Sequence, residues 1–340
     1  MAAILNQQHV ETSLMRAIVC RKPTKIEALT PQEIDKPSIG ERDILIRVHA
    51  SSVNPLDFFT VSRAAYIARW LGGRGRPKAE VLGMDFAGSV EAVGRAVTHF
   101  KLGDAVFGGH KGAFADYLGM AETGSVAHKP ANISFEQAAA LPVAGVTALQ
   151  AVRDHARVQP GEHVLINGAS GGVGSFAIQL AKLFGAMVTA VCSSRNVDQA
   201  RQLGADEVVD YSREDFTRRP ERYDVVIDVA GSRSWSELRR VMKPNARYIL
   251  AGGSAHTTSG TGRVLRHLLG KRLSSLFAQQ KFAFFIAKLR TDDLTFLADN
   301  LAAGKLTVAI DRQYDLSQIS AAMAYMGEGH ARGKIVVRVA

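Results

Sequence analysis

The chain is predicted to be an α/β protein with one β-rich domain and a second domain built on a doubly wound parallel sheet. From residue 15 to about residue 130, short strand-like segments alternate with Gly and Pro turns. From about residue 135, helical and strand-like patterns alternate, which indicates parallel strands covered by helices. A length of 340 residues also fits two domains.

The β-rich part is predicted to begin with a strand at residues 15–19, so residues 1–14 are expected to form a loose amino-terminal extension. Apolar and polar residues alternate at 44–48, and residues that favour β-strands recur at 88–94 and 104–107. These patterns predict strands bounded by turns.

The second part is predicted to repeat strand and helix units. The predicted helices are 135–156, 175–184, 196–203 and 234–242, and the predicted strands are 163–167, 187–192, 207–209, 224–229 and 246–251. A candidate sixth strand at 282–287, a helix near 291–303 and a final strand at 334–339 follow.

A glycine cluster between the apolar run 164–167 and a predicted helix is the strongest local signal of function. Strand, glycine turn and helix in this order form a cradle for phosphate, because free N–H groups at a helix start attract an anion. The full G-x-G-x-x-G pattern is not met, since Ala169 takes the first place while Gly171 and Gly174 take the others. The N–H groups expected to meet a pyrophosphate belong to Gly171, Gly172 and Val173.

The residues after the next predicted strand favour NADP over NAD. An NAD site usually has an acidic residue roughly 20 positions past the glycines, where it binds the ribose 2′-hydroxyl. Here Ser193 stands 19 positions after Gly174, and Arg195 follows with no carboxylate between them. Hydroxyls and a guanidinium suit a 2′-phosphate. The alternative is an ordinary polar loop.

Composition narrows the class of protein. The chain is 46% hydrophobic and 22% charged, as expected for a globular protein. Two cysteines, Cys20 and Cys192, cannot build a disulfide framework or a four-cysteine zinc site. No apolar run approaches the ~20 residues of a spanning helix, and residues 1–14 lack the apolar core of a signal peptide. A cytoplasmic location without stable membrane insertion is therefore expected.

A net charge of +10 raises the question of nucleic-acid binding. No nucleic-acid-binding motif accompanies this charge, so no such partner is expected. Basic residues concentrate in segment 263–290, where they alternate with apolar residues at helical spacing. This segment is interpreted as a surface helix or subunit contact, or alternatively as a basic rim that attracts an anionic substrate or membrane surface.

Several motifs surround the glycine loop in a characteristic order. They are SVNPLD at 52–57, LGMDFAG at 82–88, LGDAVFG at 102–108, GAFADY at 112–117, LPVAGVTA at 141–148, LGADEVVDY at 203–211 and ARGKIVV at 331–337. From residue 15 onward the chain resembles the medium-chain dehydrogenase/reductase superfamily, specifically its zinc-free quinone oxidoreductase-like branch.

The resemblance implies a discontinuous GroES-like catalytic domain at residues 15–134 and 289–340. It places a Rossmann NADP-binding domain at 135–288. Similar proteins form homodimers through the edge of the Rossmann sheet, so a homodimer is expected here.

The resemblance also implies an enzyme without a metal. Zinc-dependent relatives carry Cys at the position of Asn54 and His at the position of Met84, and neither Asn nor Met is a favoured zinc ligand. His110 is interpreted as a loop residue. A zinc-binding family label for this chain would then be inherited from the superfamily.

The implied activity is hydride transfer from NADPH to a quinone or an α,β-unsaturated carbonyl compound, a small-molecule substrate. The resemblance places Asn54 near the nicotinamide, where it can also hydrogen-bond a substrate carbonyl, and gives Asp57 a structural or orienting role. Tyr66 can donate a hydrogen bond or a proton, and Thr147 lines the nicotinamide end. Alternatively, Asn54 is a turn residue before proline and Tyr66 is a packing aromatic.

Further cofactor contacts are expected at the carboxyl ends of the predicted strands. Tyr211 corresponds to a tyrosine that borders the 2′-phosphate, with a strand-end aromatic as the alternative. Arg332 and Lys334 are interpreted either as phosphate ligands or as surface residues. The glycines expected at this edge are Gly231, Gly252 and Gly253.

Two other functions stay open at this point. One is reduction or oxidation of a specific biosynthetic intermediate, such as an enoyl thioester or a ketone. The other is a non-catalytic NADPH-binding protein.

Overall fold

The computed structural model of the chain describes residues 14–21, 24–61, 80–251 and 279–340, and two large β-sheets organise them. Short strands that pair antiparallel form the first part. These strands are β1 (Leu14–Cys20), β2 (Pro31–Asp35), β3 (Asp43–Val53), β4 (Glu80–Val81), β5 (Asp85–Val93), β6 (Ala105–Gly109), β7 (Tyr117–Ala121) and β8 (Val126–His128).

The expected amino-terminal extension can be compared with the structure only at its end. Strand β1 begins at Leu14, one residue before the predicted strand. Residues 1–13 lie outside the described residues.

The second sheet is parallel throughout, which confirms the predicted doubly wound arrangement. Its six strands are ordered β11-β10-β9-β12-β13-β14, so the chain order reverses between β9 and β12. Ligands bind at the carboxyl edge of such a sheet, beside the reversal. The strands are β9 (His163–Asn167), β10 (Met187–Cys192), β11 (Glu207–Asp210), β12 (Tyr223–Asp228), β13 (Met242–Leu250) and β14 (Lys281–Phe284).

The carboxyl-terminal part returns to the first sheet. Strand β16 (Lys334–Arg338) lies between β15 (Ile310–Asp315) and β3, and Val336 pairs with Ser52. The seven-stranded sheet has the order β15-β16-β3-β5-β6-β8, with β7 also paired to β3. Residues from distant parts of the chain thus share one sheet. The domain limits 15–134, 289–340 and 135–288 remain a proposal.

Helices cover both sheets. They are α1 (Pro55–Thr60), α2 (Phe135–Ala139), α3 (Pro142–Leu149), a π-helix (Gln150–Ala156), α4 (Gly172–Leu183), α5 (Val197–Gln202), α6 (Trp235–Arg239), α7 (Thr291–Ala302) and α8 (Ile319–Gly327). Within the described parts of the chain, no helix has the length and apolar character needed to cross a bilayer.

The prediction of one helix over 135–156 was wrong. Pro142 occupies the first turn of α3, where a missing N–H is tolerated, and so it starts a new helix after α2. The hydrogen-bond pattern then changes to a π-helix at Gln150. The predicted helix 234–242 also ends early, because β13 begins at Met242.

A buried carboxylate holds the segment that leaves the parallel sheet. Asp293, near the start of α7, accepts hydrogen bonds from Gln150 Nε2 (2.8 Å) and from the Arg153 guanidinium (2.7 Å). Gln150 also donates to the Lys288 carbonyl (2.7 Å) and accepts from the Lys288 N–H (3.2 Å). The π-helix and α7 are therefore joined by one polar cluster.

We expect Asp293→Asn to lower the free energy of unfolding by about 2 kcal/mol, because a buried hydrogen bond to a charged partner is lost. Urea unfolding measures the change. Asp292→Asn is the matched control, since Asp292 is exposed on the same helical turn. Equal losses in the two variants would contradict the role assigned to Asp293.

Candidate cofactor and catalytic site

The glycine loop lies at the carboxyl edge of the parallel sheet, where the strand order reverses. Gly168 directly follows β9 and has a φ of +84°, a conformation that favours glycine. Ala169 is fully buried and is not among the non-glycine residues with positive φ. The tight turn therefore uses Gly168, which explains why alanine is accepted at the first place of the motif.

The start of α4 presents backbone donors. The N–H groups of Gly172 and Val173 belong to its first turn, which lacks partners within the helix. The Gly171 N–H, in contrast, donates to the Gly168 carbonyl (3.4 Å). Gly171 is the N-cap residue, and no side chain caps the first turn that begins with Gly172. A Cβ on Gly174 would lie 2.2 Å from the Gly168 carbonyl oxygen, so the close approach of helix and loop requires glycine. This uncapped start of a 12-residue helix fits a dinucleotide pyrophosphate.

A buried carboxylate supports the strand ends beneath the loop. Asp228, the last residue of β12, accepts from Asn167 Nδ2 (2.9 Å), the Gly231 N–H (2.8 Å) and the Tyr248 hydroxyl (2.7 Å). Burial, with the nearby Asp228 charge, raises the pKa of Tyr248, which keeps its hydroxyl a donor. Gly231 has a φ of +66° in this turn. Gly252 and Gly253 lie outside the described residues.

Ser193 and Tyr211 follow neighbouring strands β10 and β11, whose last residues Cys192 and Asp210 pair. The Ser193 hydroxyl oxygen accepts a hydrogen bond from Asn196 Nδ2 (3.1 Å). Its own O–H can therefore still donate to a ligand. Tyr211 is 53% exposed, and its N–H donates to the Cys192 carbonyl (3.0 Å). The structure brings these two predicted residues together.

A carboxylate at this edge was overlooked in the sequence interpretation, because it ends the neighbouring strand. Asp210 accepts hydrogen bonds from the Ser194 hydroxyl and from the Ser212 N–H (2.9 Å). The Ser194 bond is the main cause that lowers the pKa of Asp210, so this carboxyl is ionised. Beside it a pocket of about 500 Å³ is lined by Ser194, Val197, Asp198, Arg201, Val208, Asp210, Arg213 and Glu214.

Arg195 is exposed and extends toward the carboxyl-terminal part of the chain. One of its guanidinium nitrogens donates to the His330 carbonyl (2.6 Å). The remaining donors of the guanidinium can reach a ligand. Arg332 lies in the same loop, where its N–H donates to Asp311 (2.8 Å).

A second polar centre, which we name the Asn54 cluster, consists of Ser52, Asn54, Asp85 and Lys334. Asn54 is 2% exposed and follows β3. Its Nδ2 donates to Asp85 Oδ2 (2.9 Å) and to the Ser52 carbonyl (3.3 Å), and its Oδ1 accepts from Lys334 Nζ (2.7 Å). Asp85 Oδ2 also accepts from the Ser52 hydroxyl (2.8 Å) and from Lys334 Nζ (3.3 Å).

The Asn54 cluster contacts both the glycine loop and α3. Lys334 is buried rather than on the surface, and its Cδ would lie 3.0 Å from a Cβ on Gly172. Asp85 Oδ1 accepts from the N–H of Val143 in the first turn of α3 (3.0 Å). One turn later, the Thr147 hydroxyl donates to the Val143 carbonyl (2.6 Å). The cluster thus joins the seven-stranded sheet to the start of α4.

Asp57 lies directly beside the Asn54 cluster. Its carboxylate accepts the Asn54 N–H (2.8 Å), while its own N–H donates to the Asn54 carbonyl (3.0 Å). Burial raises the pKa of Asp57 to about 7, with a smaller contribution from the Asp85 charge. Tyr66, the third predicted catalytic residue, lies outside the described residues.

Met84 and Asn54 lie at the same end of neighbouring strands, because Ser52 pairs with Asp85. His110 Nδ1 contacts the exposed Lys111 carbonyl at 2.8 Å. Among the residues placed in the structure, no three His, Cys, Asp or Glu side chains are grouped so that they could hold a metal ion.

Residues 40–147 match the family described as alcohol dehydrogenase GroES-like domain, and residues 203–337 match the family described as zinc-binding dehydrogenase. The chain is 34% identical to quinone-oxidoreductase QR1, chloroplastic, of Triphysaria versicolor, covering 90% of this chain and 92% of the relative. It is also 34% identical to NAD(P)H oxidoreductase RTN4IP1, mitochondrial, of Mus musculus. That alignment covers 96% of this chain and 90% of the relative.

A solved structure, the quinone oxidoreductase from Coxiella burnetii, superposes with a TM-score of 0.83 at 30% identity. The superposition covers 96% of this chain and all of that protein.

We expect Asp57 to make folding less favourable as pH rises. Between the ordinary aspartate pKa of 3.8 and the raised pKa of about 7, the carboxyl of the folded protein keeps a proton that the unfolded chain releases. Relative to Asp57→Asn, the wild-type free energy of unfolding should fall across this window by at most about 4 kcal/mol. Denaturant unfolding at several pH values measures this difference.

The exposed Asp35 supplies the control, because Asp35→Asn should keep the wild-type pH dependence. The raised pKa of Asp57 is refuted if Asp57→Asn also keeps it.

Proposed function

Because this chain belongs to the quinone oxidoreductase-like branch of the medium-chain dehydrogenase/reductase superfamily, we propose that it is a zinc-independent, NADPH-dependent reductase. The proposed acceptor is a quinone or an α,β-unsaturated carbonyl compound. One observation carries this proposal: the Asn54 cluster lies against Gly172, at the uncapped start of α4, which we call the cofactor helix. Oxidoreductase chemistry with a nicotinamide cofactor follows from the family itself.

The protein's part in the reaction is to bind, orient and donate hydrogen bonds. When bound, the dinucleotide supplies the hydride. The first N–H groups of α4 hold its pyrophosphate, and Asn54 and Thr147 line the nicotinamide end. Charge that develops on the acceptor oxygen requires hydrogen-bond donors and then a proton, a role that we assign to Tyr66.

Zinc does not fit the residues at Asn54. The amide oxygen that would face a metal already accepts from the Lys334 ammonium at 2.7 Å, and a second cation there would be repelled. Met84, at the neighbouring strand end, offers only a thioether, which is not a usual zinc ligand. These contacts support a metal-independent reaction.

The preference for NADPH is supported by the free Ser193 O–H, the exposed Arg195 and the position of Tyr211. Asp210 opposes the binding of a 2′-phosphate, because its carboxylate repels the phosphate charge and already accepts the hydrogen bond of the Ser194 hydroxyl. We therefore assign the 2′-phosphate mainly to Ser193 and Arg195.

A homodimer is proposed through the edge of the parallel sheet. Among the strands that the structure describes, β14 forms one edge of that sheet, and Ile286 just beyond it is 81% exposed. Much of the basic segment lies outside the described residues. We propose a small-molecule substrate, a cytoplasmic location and no nucleic-acid partner.

Turnover with a panel of acceptors tests the proposed function. We expect NADPH oxidation with quinones and enones but none with simple ketones, because no metal ion polarises the carbonyl. Enoyl thioesters in the same panel test the alternative of a biosynthetic intermediate. Chelator-treated protein should keep its activity. Tight NADPH binding without turnover on any acceptor would instead support a non-catalytic NADPH-binding protein.

We expect Arg195→Ala to weaken NADPH binding roughly 10- to 100-fold while NADH binding changes little, because only NADPH carries the 2′-phosphate. Titration of both cofactors measures the two affinities. Arg201→Ala is the control, since Arg201 lines the adjacent pocket and pairs with Asp198. An equal loss for both cofactors in Arg195→Ala would refute the assignment.

A further inference from the structure

The Asn54 carboxamide has no donor left for a substrate. Both hydrogens on Nδ2 are used within the cluster, one by Asp85 at 2.9 Å and one by the Ser52 carbonyl at 3.3 Å. Its oxygen accepts from Lys334. An amide placed in this way shapes the site but cannot hydrogen-bond a substrate carbonyl without breaking a buried bond. The interpretation of Asn54 as a direct donor is therefore disfavoured.

Charge decides which way this amide faces. If the carboxamide were turned by a half rotation, its NH₂ group would meet the Lys334 ammonium and its oxygen would meet the Asp85 carboxylate. Donor would then face donor and acceptor would face acceptor. The ion pair on the two sides of the amide therefore selects a single orientation.

The pair itself is fixed by its other contacts. Asp85 accepts four hydrogen bonds, from Ser52, Asn54, Lys334 and the Val143 N–H. Asp85 is fully buried, and the Lys334 side chain is 3% exposed. Since isolated buried charges are strongly unfavourable and a buried ion pair contributes little to stability, its presence here calls for a role in specifying geometry.

We propose that Asp85 and Lys334 are positioning residues that hold the Asn54 carboxamide in one orientation. Lys334 does this from the carboxyl-terminal strand β16, with its chain packed along Gly172. The expected effect on hydride transfer rests on the proposed function. The effect on Asn54 itself does not.

The double variant D85N/K334M tests the proposal, because it removes both charges and leaves neither buried alone. We expect it to fold and to bind NADPH within about threefold of wild type, while kcat falls roughly 10- to 100-fold, as for a misplaced reacting group. Lys334→Arg keeps the positive charge and should retain more of kcat than Lys334→Met.

Asp293→Asn is the matched control, because it breaks another buried pair, with Arg153, that makes no contact with the Asn54 cluster. It should lower stability but leave kcat unchanged. An unchanged kcat in D85N/K334M, or an equal fall in D293N, would overturn the proposal.

Neutron crystal structures of D85N/K334M and wild-type protein give a readout that is independent of activity, because they locate the amide hydrogens and so distinguish the carboxamide nitrogen from its oxygen. The Asn54 carboxamide should be rotated, or present in two orientations, in the variant only. If wild-type protein reduces no acceptor, the proposed function fails, and these structures still decide the positioning role. An unmoved carboxamide in the variant refutes it.

Discussion

The buried contact between Asp85 and Lys334 is the interaction on which the rest of the site depends. It connects β5 to β16 through two residues that are 249 positions apart. Asn54, which follows β3, forms hydrogen bonds with both of them. Through the Val143 N–H, Asp85 also fixes the first turn of α3. The Lys334 chain in turn packs against Gly172 at the start of α4.

The parallel sheet uses a similar device. Asp228 accepts hydrogen bonds from residues of β9 and β13 and from the turn that contains Gly231. One buried carboxylate thus organises the strand ends beneath the glycine loop, and another organises the reacting side. In both places an acidic side chain fixes backbone groups near the start of a helix or at a turn.

The sequence was enough to predict a parallel, doubly wound sheet and a strand–glycine turn–helix unit, because both arise from local periodicity and local turn chemistry. The single helix over 135–156 failed, since a proline can start a helix as well as end one. Asp210 was missed because its partner Ser194 lies on the neighbouring strand end. The Asn54 cluster could not be predicted from the sequence, because Lys334 and Asn54 are 280 positions apart and no periodic pattern indicates a contact between such distant residues.

That separation has a consequence for how the protein is made. The segment that carries Asn54 and Asp85 leaves the ribosome long before β16 exists. At about 5 to 20 residues per second, the 280 residues that separate Asn54 from Lys334 take roughly 15 to 60 s to synthesise. During that interval Asp85 lacks its ammonium and the nascent antiparallel sheet has an open edge beside β3. The glycine loop and most of the parallel sheet emerge in the meantime, so the parallel sheet can form before the seven-stranded sheet is complete.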